Sequence, residues 1–381
     1  MSQRKCVYVM AVWGVSFIKK FLTIALPTLL APDNLPLASE LIRSRFLIVT
    51  TKPDINAIRQ SSIFESLSKI LPVSFVDFEP DKDRHLSLSK AHSIAIDSAI
   101  KNKEIAVFLA PDCIIANGGL YNVMQVMKGG KRAVMTTGLR VIEESFEPIL
   151  ETLPRDEKGI LSIESRLITR LVMENLHPEI KRYIWGSQEF TKYPHLCLWK
   201  SPHDDGFLIR AFHLHPLIVD LGVVTIDSKE QALNALSSST VDGNFIGYLI
   251  GNLDDIYIVD DSDFFSIYSL TPRADREDSV QYGYSDIKSL RLMAYSNTVN
   301  SLHRYFFTKA IRVHVKEIDH QWKELEEETG ILANQILNCE LQDFVDRWSI
   351  IEYQFTGREL LRITISRAIQ RLGRILRGQF V

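Results

Sequence analysis

The residue whose type and position first suggest chemistry is an aspartate. Asp112 closes the apolar run Ile105-Ala106-Val107-Phe108-Leu109-Ala110-Pro111 and stands before Cys113-Ile114-Ile115 and the turn Ala116-Asn117-Gly118-Gly119. A carboxylate there can ligate a hard divalent cation, which bridges and neutralises phosphate oxygens. It can equally cap the helix that follows Asn117. A second set is Phe212-His213-Leu214-His215-Pro216. Residues two apart on a strand face the same way, so His213 and His215 can converge on one metal. His203, Asp204 and Asp205 lie just upstream, and Asp242 precedes Gly243. An acid within hydrogen-bond reach of an acceptor hydroxyl can act as a general base. Asp205 leads that set because it is nearest the histidines, ahead of Asp204 and Asp242. Lys131, Arg132 and Arg140 can neutralise phosphate or simply be surface charge.

These side chains need elements to position them. Residues 6–13, 45–51, 73–77, 105–115 and 131–137 are apolar or β-branched runs of strand length, and Trp13, Thr50, Thr51, Asp54 and Asp77 fall at or just past the ends of the first three. Helical spacing fills 17–30, 55–70, 87–100 and 120–127, with Ala91, Ala95 and Ala99 one turn apart on the third of these. Strands alternating with helices predict an α/β fold, a mostly parallel sheet flanked by helices and joined by right-handed crossovers. Ligands of such sheets bind in the crevice beyond the carboxyl ends of the strands, which is where Asp112 falls.

The second half is less regular. Residues 145–176 read as helix with breaks at Pro148, Pro154 and Gly159, residues 185–199 as an aromatic loop, and 206–216 as a strand with 217–226 as its partner. A polar loop spans 237–248, and 256–263 is a strand closing in Asp260, Asp261 and Asp263. From residue 285 the composition turns helical, which sets an expected boundary between a domain over 1–284 and a helical region over 285–381. The last segment carries Leu361, Ile365, Ala368, Leu372 and Ile375 on one stripe with Arg358, Arg362, Arg367, Arg371, Arg374 and Arg377 around it. Such a helix can rest on anionic lipid headgroups, or pack on its own domain or a second subunit.

A net charge of −3 argues against a general nucleic-acid binder. The four cysteines, Cys6, Cys113, Cys197 and Cys339, form no C-x-x-C pair, which suits a reducing cytosol better than a disulfide framework or a zinc knuckle. Lys19 and Lys20 interrupt the apolar N-terminus before it reaches the roughly 20 residues a membrane span needs. The expected location is therefore the cytoplasm, with the basic terminal helix offering peripheral contact with the inner face of a membrane.

The order of elements resembles nucleotide-sugar glycosyltransferases of the GT-A fold, family-2-like. Lys90-Ala91-His92-Ser93-Ile94-Ala95-Ile96-Asp97-Ser98-Ala99-Ile100 followed by Val107-Phe108-Leu109-Ala110-Pro111-Asp112 is similar to that family's alanine-rich helix and its Phe-Leu-Asp-x-Asp segment. Asp112 matches the second aspartate, which holds the metal, whereas Ala110 replaces the first. The resemblance covers residues 6 to 265. It implies a metal-dependent transfer of sugar from a UDP- or GDP-sugar to a glycan, lipid or protein acceptor. It implies Mg²⁺ or Mn²⁺ held by Asp112 with a downstream histidine, for which His213 or His215 is similar in placement. The early strand ends, with Trp13, Thr50, Thr51, Asp54 and Asp77, would face the nucleotide. Ala110 leaves open a non-catalytic relative that binds without turnover. A His-x-His metal hydrolase built on a barrel is the remaining alternative.

Overall fold

The computed structural model describes residues 4–225, 243–275, 285–295 and 299–338, together with positions 229, 230, 233, 236, 241, 282 and 283. The four early apolar runs form β1 (Lys5–Ala11), β2 (Arg43–Thr50), β3 (Val73–Asp77) and β4 (Glu104–Leu109). β1 is parallel to β2 and to β4, with Val9 opposite Leu47 on one side and Phe108 on the other. Burial on both faces is what such uninterrupted apolar strands need.

The remaining strands are β5 (Cys113–Ile115), β6 (Ala133–Thr136), β7 (Leu139–Ile142), β8 (Phe190–Thr191), β9 (Leu196–Lys200), β10 (Gly206–Ala211), β11 (His215–Asp220), β12 (Ile256–Ile258), β13 (Ile267–Thr271), β14 (Tyr282–Gly283) and β15 (Ile311–His314). Seven of them make the central sheet in the order β12-β6-β11-β4-β1-β2-β3. β11 runs antiparallel to both β4 and β6, while the other neighbours are parallel. The chain is thus a mixed α/β protein with a mostly parallel central sheet flanked by helices. A smaller sheet, β5-β13-β7, continues from the end of β4.

The helix Arg84–Asn102 shows why the alanine spacing matters. Asp83 caps it by accepting from the amides of His85 and Leu86, and Lys103 ends it at φ 56. Ala91, Ala95 and Ala99 are all buried on the stripe between. On the other face of the sheet, Tyr8, Phe46, Ile48 and Val107 pack with Phe21, Leu29, Leu67 and Leu120 in one core.

Five expectations about local structure are corrected. The run 105–115 is not one strand: the chain leaves the central sheet after Leu109, turns through Ala110-Pro111-Asp112 and re-enters a different sheet as β5. Pro111 has no amide to give a ladder. The expected helix over 17–30 runs as Val15–Lys20, a π turn over Phe21–Ala25, and Leu26–Leu29 with Pro27 inside. The expected strand over 206–216 is β10 and β11 in two different sheets, joined at Phe212-His213-Leu214. Finally, the polar loop over 237–248 gives way to a helix at Gly243–Leu249, and the aromatic stretch 185–199 holds β8 and β9.

Contacts divide the chain into two compact units that interleave along the sequence. One is Met1–His177, Leu214–Asp275 and Ile311–Lys316, and contains the central sheet. The other is Pro178–His213, Arg276–Ala310 and Glu317–Val381. The composition boundary at residue 284 is a separate, sequence-level proposal. In the second unit Phe190, Trp199, Leu208, Phe212, Phe307 and Trp322 form the core around the β9–β10 hairpin. The buried Arg210 there gives its guanidinium to the carbonyls of Thr308 and Glu326 and the hydroxyl of Thr329. The basic stripe over 358–381 lies outside the described residues. Among the described residues no helix is long and apolar enough to cross a membrane.

Candidate functional site

The strand order turns about β1, with β2 and β3 to one side and β4 to the other. Loops leaving β1 and β4 therefore part, and a crevice opens at their carboxyl ends. The β1 exit is Val12-Trp13-Gly14. Gly14 has φ 81 and ψ 147, a conformation that only glycine adopts without cost. Its amide donates to Asp54 Oδ2 at 2.9 Å, and the Thr51 hydroxyl donates to the same oxygen at 2.7 Å. Asp54 thus ties the exit of β2 to the exit of β1. Trp13 stands edge-on to Phe78, ring centroids 5.1 Å apart, just beyond Asp77 at the end of β3. Thr50 is fully buried at this edge, and among the described residues its hydroxyl has no hydrogen-bond partner. Four of the five residues expected to face a nucleotide (Trp13, Thr51, Asp54 and Asp77) thus line one sheet edge, with Thr50 inside it.

Asp112 sits at the β4 exit. It does not cap the next helix: that end, at Leu120, is met by Asn34 Oδ1 at 3.0 Å. The side chain is partly buried, and the Cys113 thiol lies 3.9 Å from its Oδ1. Loss of water pushes the Asp112 carboxyl above its ordinary 3.8. A hydrogen bond from its own amide and the charges of Lys20 and Arg140 pull the other way, and Glu143 adds to the rise. Lys20 is itself buried and paired with Glu143. Arg140 is exposed on β7, in the row Cys113–Ser269–Arg140 across the small sheet. A desolvated carboxylate with no cation in direct contact among the described residues is an incomplete arrangement. A Mg²⁺-type ion held by one or two carboxylates and the phosphates of a ligand completes it. The donor type fits a hard cation.

β11 runs against β4 and β6, so its first residue lies where those strands end. His215 is exposed there, opposite Thr136, the last residue of β6. It therefore shares the carboxyl edge with Asp112. His213 belongs to the second unit, in the joint after β10, with its ring 4.2 Å from that of His303 and 6.4 Å from that of His195. The two-residue alternation expected to aim both histidines at one ligand does not apply, because His213 is not in a strand.

Among the described residues, the group of three potential ligands that does converge is Asp261, Asp263 and His314, with one ligand atom of each within 4.8 Å of the others. It lies past the carboxyl end of β12, which is parallel to β6. The acids were visible in the sequence as the close of a strand; His314 was not, because only tertiary folding brings it there. Geometry would admit a metal, but charge does not call for one. Arg166 forks onto Asp263 with contacts of 2.9 and 2.7 Å. Arg312 reaches Asp260 at 3.3 Å and Asp261 at 3.6 Å. His314 Nε2 is 3.0 Å from Asp261 Oδ1, and its Nδ1 is 2.6 Å from the Lys316 carbonyl. Those partners hold the Asp261 carboxyl below its ordinary value in spite of burial, and they raise His314 in spite of burial. The cluster is a network of ion pairs.

Of the acids expected to serve as base, Asp204 and Asp205 form the tip of the β9–β10 hairpin in the second unit. Asp204 takes φ 56 and pairs with Lys200 at 3.1 Å. Asp205 accepts from the Ser201 hydroxyl at 2.7 Å while its amide donates back at 2.9 Å. Asp242 lies outside the described residues. Lys131 and Arg132 precede β6, at the opposite edge of the sheet from Asp112, where they bond the carbonyls of Asp254 and Leu249.

No family model matches the sequence, and no curated protein does. Solved structures match parts of it. One is described as a glucose-1-phosphate thymidylyltransferase from Bacillus anthracis, at TM-score 0.23 and 12% identity, over 36% of this chain and 55% of that one. Another is a 4-diphosphocytidyl-2C-methyl-D-erythritol synthase from Anaerococcus prevotii, at TM-score 0.25 and 15% identity, over 38% of this chain and 61% of that one. The chain thus spans less than two thirds of the length of either structure.

Proposed function

We propose that this chain transfers a sugar from a UDP- or GDP-sugar to a glycan, lipid or protein acceptor, in the crevice between the carboxyl ends of β1 and β4. One observation carries the proposal. Asp112, a partly buried carboxylate with no cation in contact among the described residues, stands where the strand order reverses. It is also the residue that the GT-A resemblance assigns to the metal. Asp112, with His215 on the same edge, would hold Mg²⁺ or Mn²⁺. Such an ion supplies charge neutralisation as the nucleoside diphosphate leaves.

The chain's own residues do the rest. The β1 exit, set by Gly14 and Asp54 and backed by Trp13 on Phe78, offers a rigid edge for the nucleoside. Arg140 adds positive potential at the phosphate side with an exposed guanidinium, whereas the charge of Lys20 is largely taken up by its pair with Glu143. Ala110 presents a methyl group where the family's first aspartate would contact the ribose, so that contact falls to another group. The base that deprotonates the acceptor is proposed from Asp205, Asp204 and Asp242. It is identified by Asn variants as the one whose loss lowers kcat without raising KM.

A second reading, a module that binds the nucleotide without turnover, is favoured by Ala110 alone. The barrel hydrolase is not supported, because the central sheet is open with β12 and β3 at its two edges. Thermal shift with nucleotide sugars and Mn²⁺, followed by donor hydrolysis, separates the readings. Stabilisation with turnover that chelator abolishes supports the transferase, and stabilisation without turnover across donors and acceptors supports the module. Full turnover in chelator removes the metal from the proposal.

A further inference from the structure

Two cations share one aromatic ring at the carboxyl edge of the central sheet. The Lys20 ammonium lies 5.1 Å from the centroid of the Phe17 ring, and the Arg84 guanidinium carbon lies 5.4 Å from the same centroid. Local sequence sets this up. Phe17 and Lys20 are three apart in the helix Val15–Lys20 and so occupy one face, while Phe21 opens the π turn and enters the core. Arg84 is the first residue of the helix Arg84–Asn102, whose other end leads into the start of β4. The helix therefore begins at the carboxyl edge. It covers one face of the sheet, whereas Phe17 packs against the core on the other. Their contact bridges the edge at which ligands of such sheets bind.

Both cations have donors to give. Lys20 is 5% exposed, and among the described residues its ammonium donates only to Glu143, at 2.5 Å, which engages one of three N–H bonds. Arg84 is exposed, and among the described residues its side chain makes no hydrogen bond or ion pair. The acids beside it bond backbone instead: Asp81 accepts from the Asp83 amide, and Asp83 accepts from the amides of His85 and Leu86. The negative face of the Phe17 ring attracts each cation, which holds two like charges in one place. Glu143 connects them to the other side of the crevice. It follows β7, where Val141 stands opposite Leu270, and the Leu270 amide donates to the Asp112 carbonyl at 2.9 Å.

We propose that Lys20 and Arg84, seated on Phe17, form a metal-independent phosphate site that takes the diphosphate of the donor, and that Glu143 is the counter-ion this ligand displaces from Lys20. The identity of the ligand rests on the donor-binding reading above; the site itself does not. A diphosphate fits because it carries charged oxygens on two adjacent groups. One group can take a guanidinium through paired N–H bonds while the other meets an ammonium as a point charge. The carboxylate of Glu143 competes with that ligand for Lys20. Weakening the pair therefore strengthens binding, a sign that a merely structural ion pair does not give.

The test uses the full chain, stripped of metal by chelator and gel filtration, in calorimetric titrations with inorganic pyrophosphate, UDP and GDP. Wild type should bind all three without added metal. Arg84→Gln, an exposed change, should weaken each about tenfold, the scale of one charge-assisted contact. Glu143→Gln should tighten pyrophosphate binding about tenfold. Glu143→Asp, which keeps the charge but shortens its reach, should tighten it about threefold, which a general effect of removing negative charge would not do. No binding of pyrophosphate at millimolar concentration overturns the inference. So does binding that Arg84→Gln leaves unchanged, or binding no tighter in either Glu143 variant. If Glu143→Gln does not fold because Lys20 is left buried without its partner, Arg84→Gln and Glu143→Asp still decide. Donor binding that requires Mn²⁺, with no pyrophosphate binding in its absence, overturns this inference and leaves the Asp112 reading standing. Pyrophosphate binding with no response to Mn²⁺ does the reverse.

Discussion

Asp112 and the Asp261–Asp263–His314 cluster occupy the same edge of one sheet, yet they settle their charge in opposite ways. Around His314, three carboxylates face two guanidinium groups and a histidine in direct contact, so among the described residues little is left to attract a cation. Asp112 has one carboxylate, a thiol at 3.9 Å, and cations that act only from further away. By count of ligand atoms the first looks like a metal centre and the second does not. By unbalanced charge the order reverses. Crowded ligands show where an ion could fit; an uncompensated buried charge shows where one is needed.

The sharpest way to break this comparison is to remove each carboxylate in turn. Asp112→Asn keeps shape and removes the charge, and should cut donor turnover by about 100-fold or more, the scale of losing a group that stabilises the leaving charge. It should also abolish the extra thermal shift that Mn²⁺ adds to a nucleotide sugar. Asp263→Asn, at the ion-paired cluster, should leave turnover within about twofold. Equal losses at both positions, read by donor hydrolysis, would erase the distinction.

Arg140→Ala comes next in size. An exposed cation near a bound diphosphate contributes through a charge-assisted contact, so KM for the donor should rise about tenfold with kcat little changed. If the diphosphate instead binds elsewhere, KM stays put. The same site sets a pH dependence. Asp112 must be ionised to bind a cation, and burial holds its carboxyl above 3.8, so Mn²⁺ affinity should fall on acidification at a pH higher than an ordinary aspartate would give. Calorimetric titration from pH 4 to 7 measures this. Because the folded value is raised, ionised Asp112 destabilises the ion-free protein as pH rises, and the ion reverses that cost.

Much of the frame was legible in the sequence, for physical reasons that particular residues show. A parallel strand buried on both faces has to be an apolar run, so β1 to β4 announced themselves, and Ala91, Ala95 and Ala99 marked the helix that must lie close to the sheet. The departure of the chain at Ala110-Pro111-Asp112 was not legible, because the residues on either side are equally apolar and only pairing shows that they enter two sheets. That His213 and His215 do not share one strand was hidden for the same reason: the pattern carries through Phe212, but the strand does not. His314 was invisible because its partners, Asp261 and the Lys316 carbonyl, become neighbours only on folding.

Asp54 gives the smallest effect and the finest test of what that edge does. Its position past β2 suggested a direct contact with the nucleotide. The structure gives its Oδ2 to Gly14 and Thr51 instead, so at least half of the carboxylate sets the path of the β1 exit. Asp54→Asn retains an oxygen that can accept both bonds, whereas Asp54→Leu retains none. If positioning is the role, Asn should raise donor KM by less than about threefold and Leu by about tenfold, in line with losing one or two hydrogen bonds of roughly 1 kcal/mol each. Trp13 fluorescence should shift in the Leu variant alone, since that side chain rides on the exit loop. If the charge itself binds the nucleotide, Asn and Leu should be equally impaired while Trp13 fluorescence in the ligand-free Asn variant stays as in wild type. The Asp112 comparison is untouched by either result, because Asp54 acts on the β1 side of the crevice and Asp112 on the β4 side.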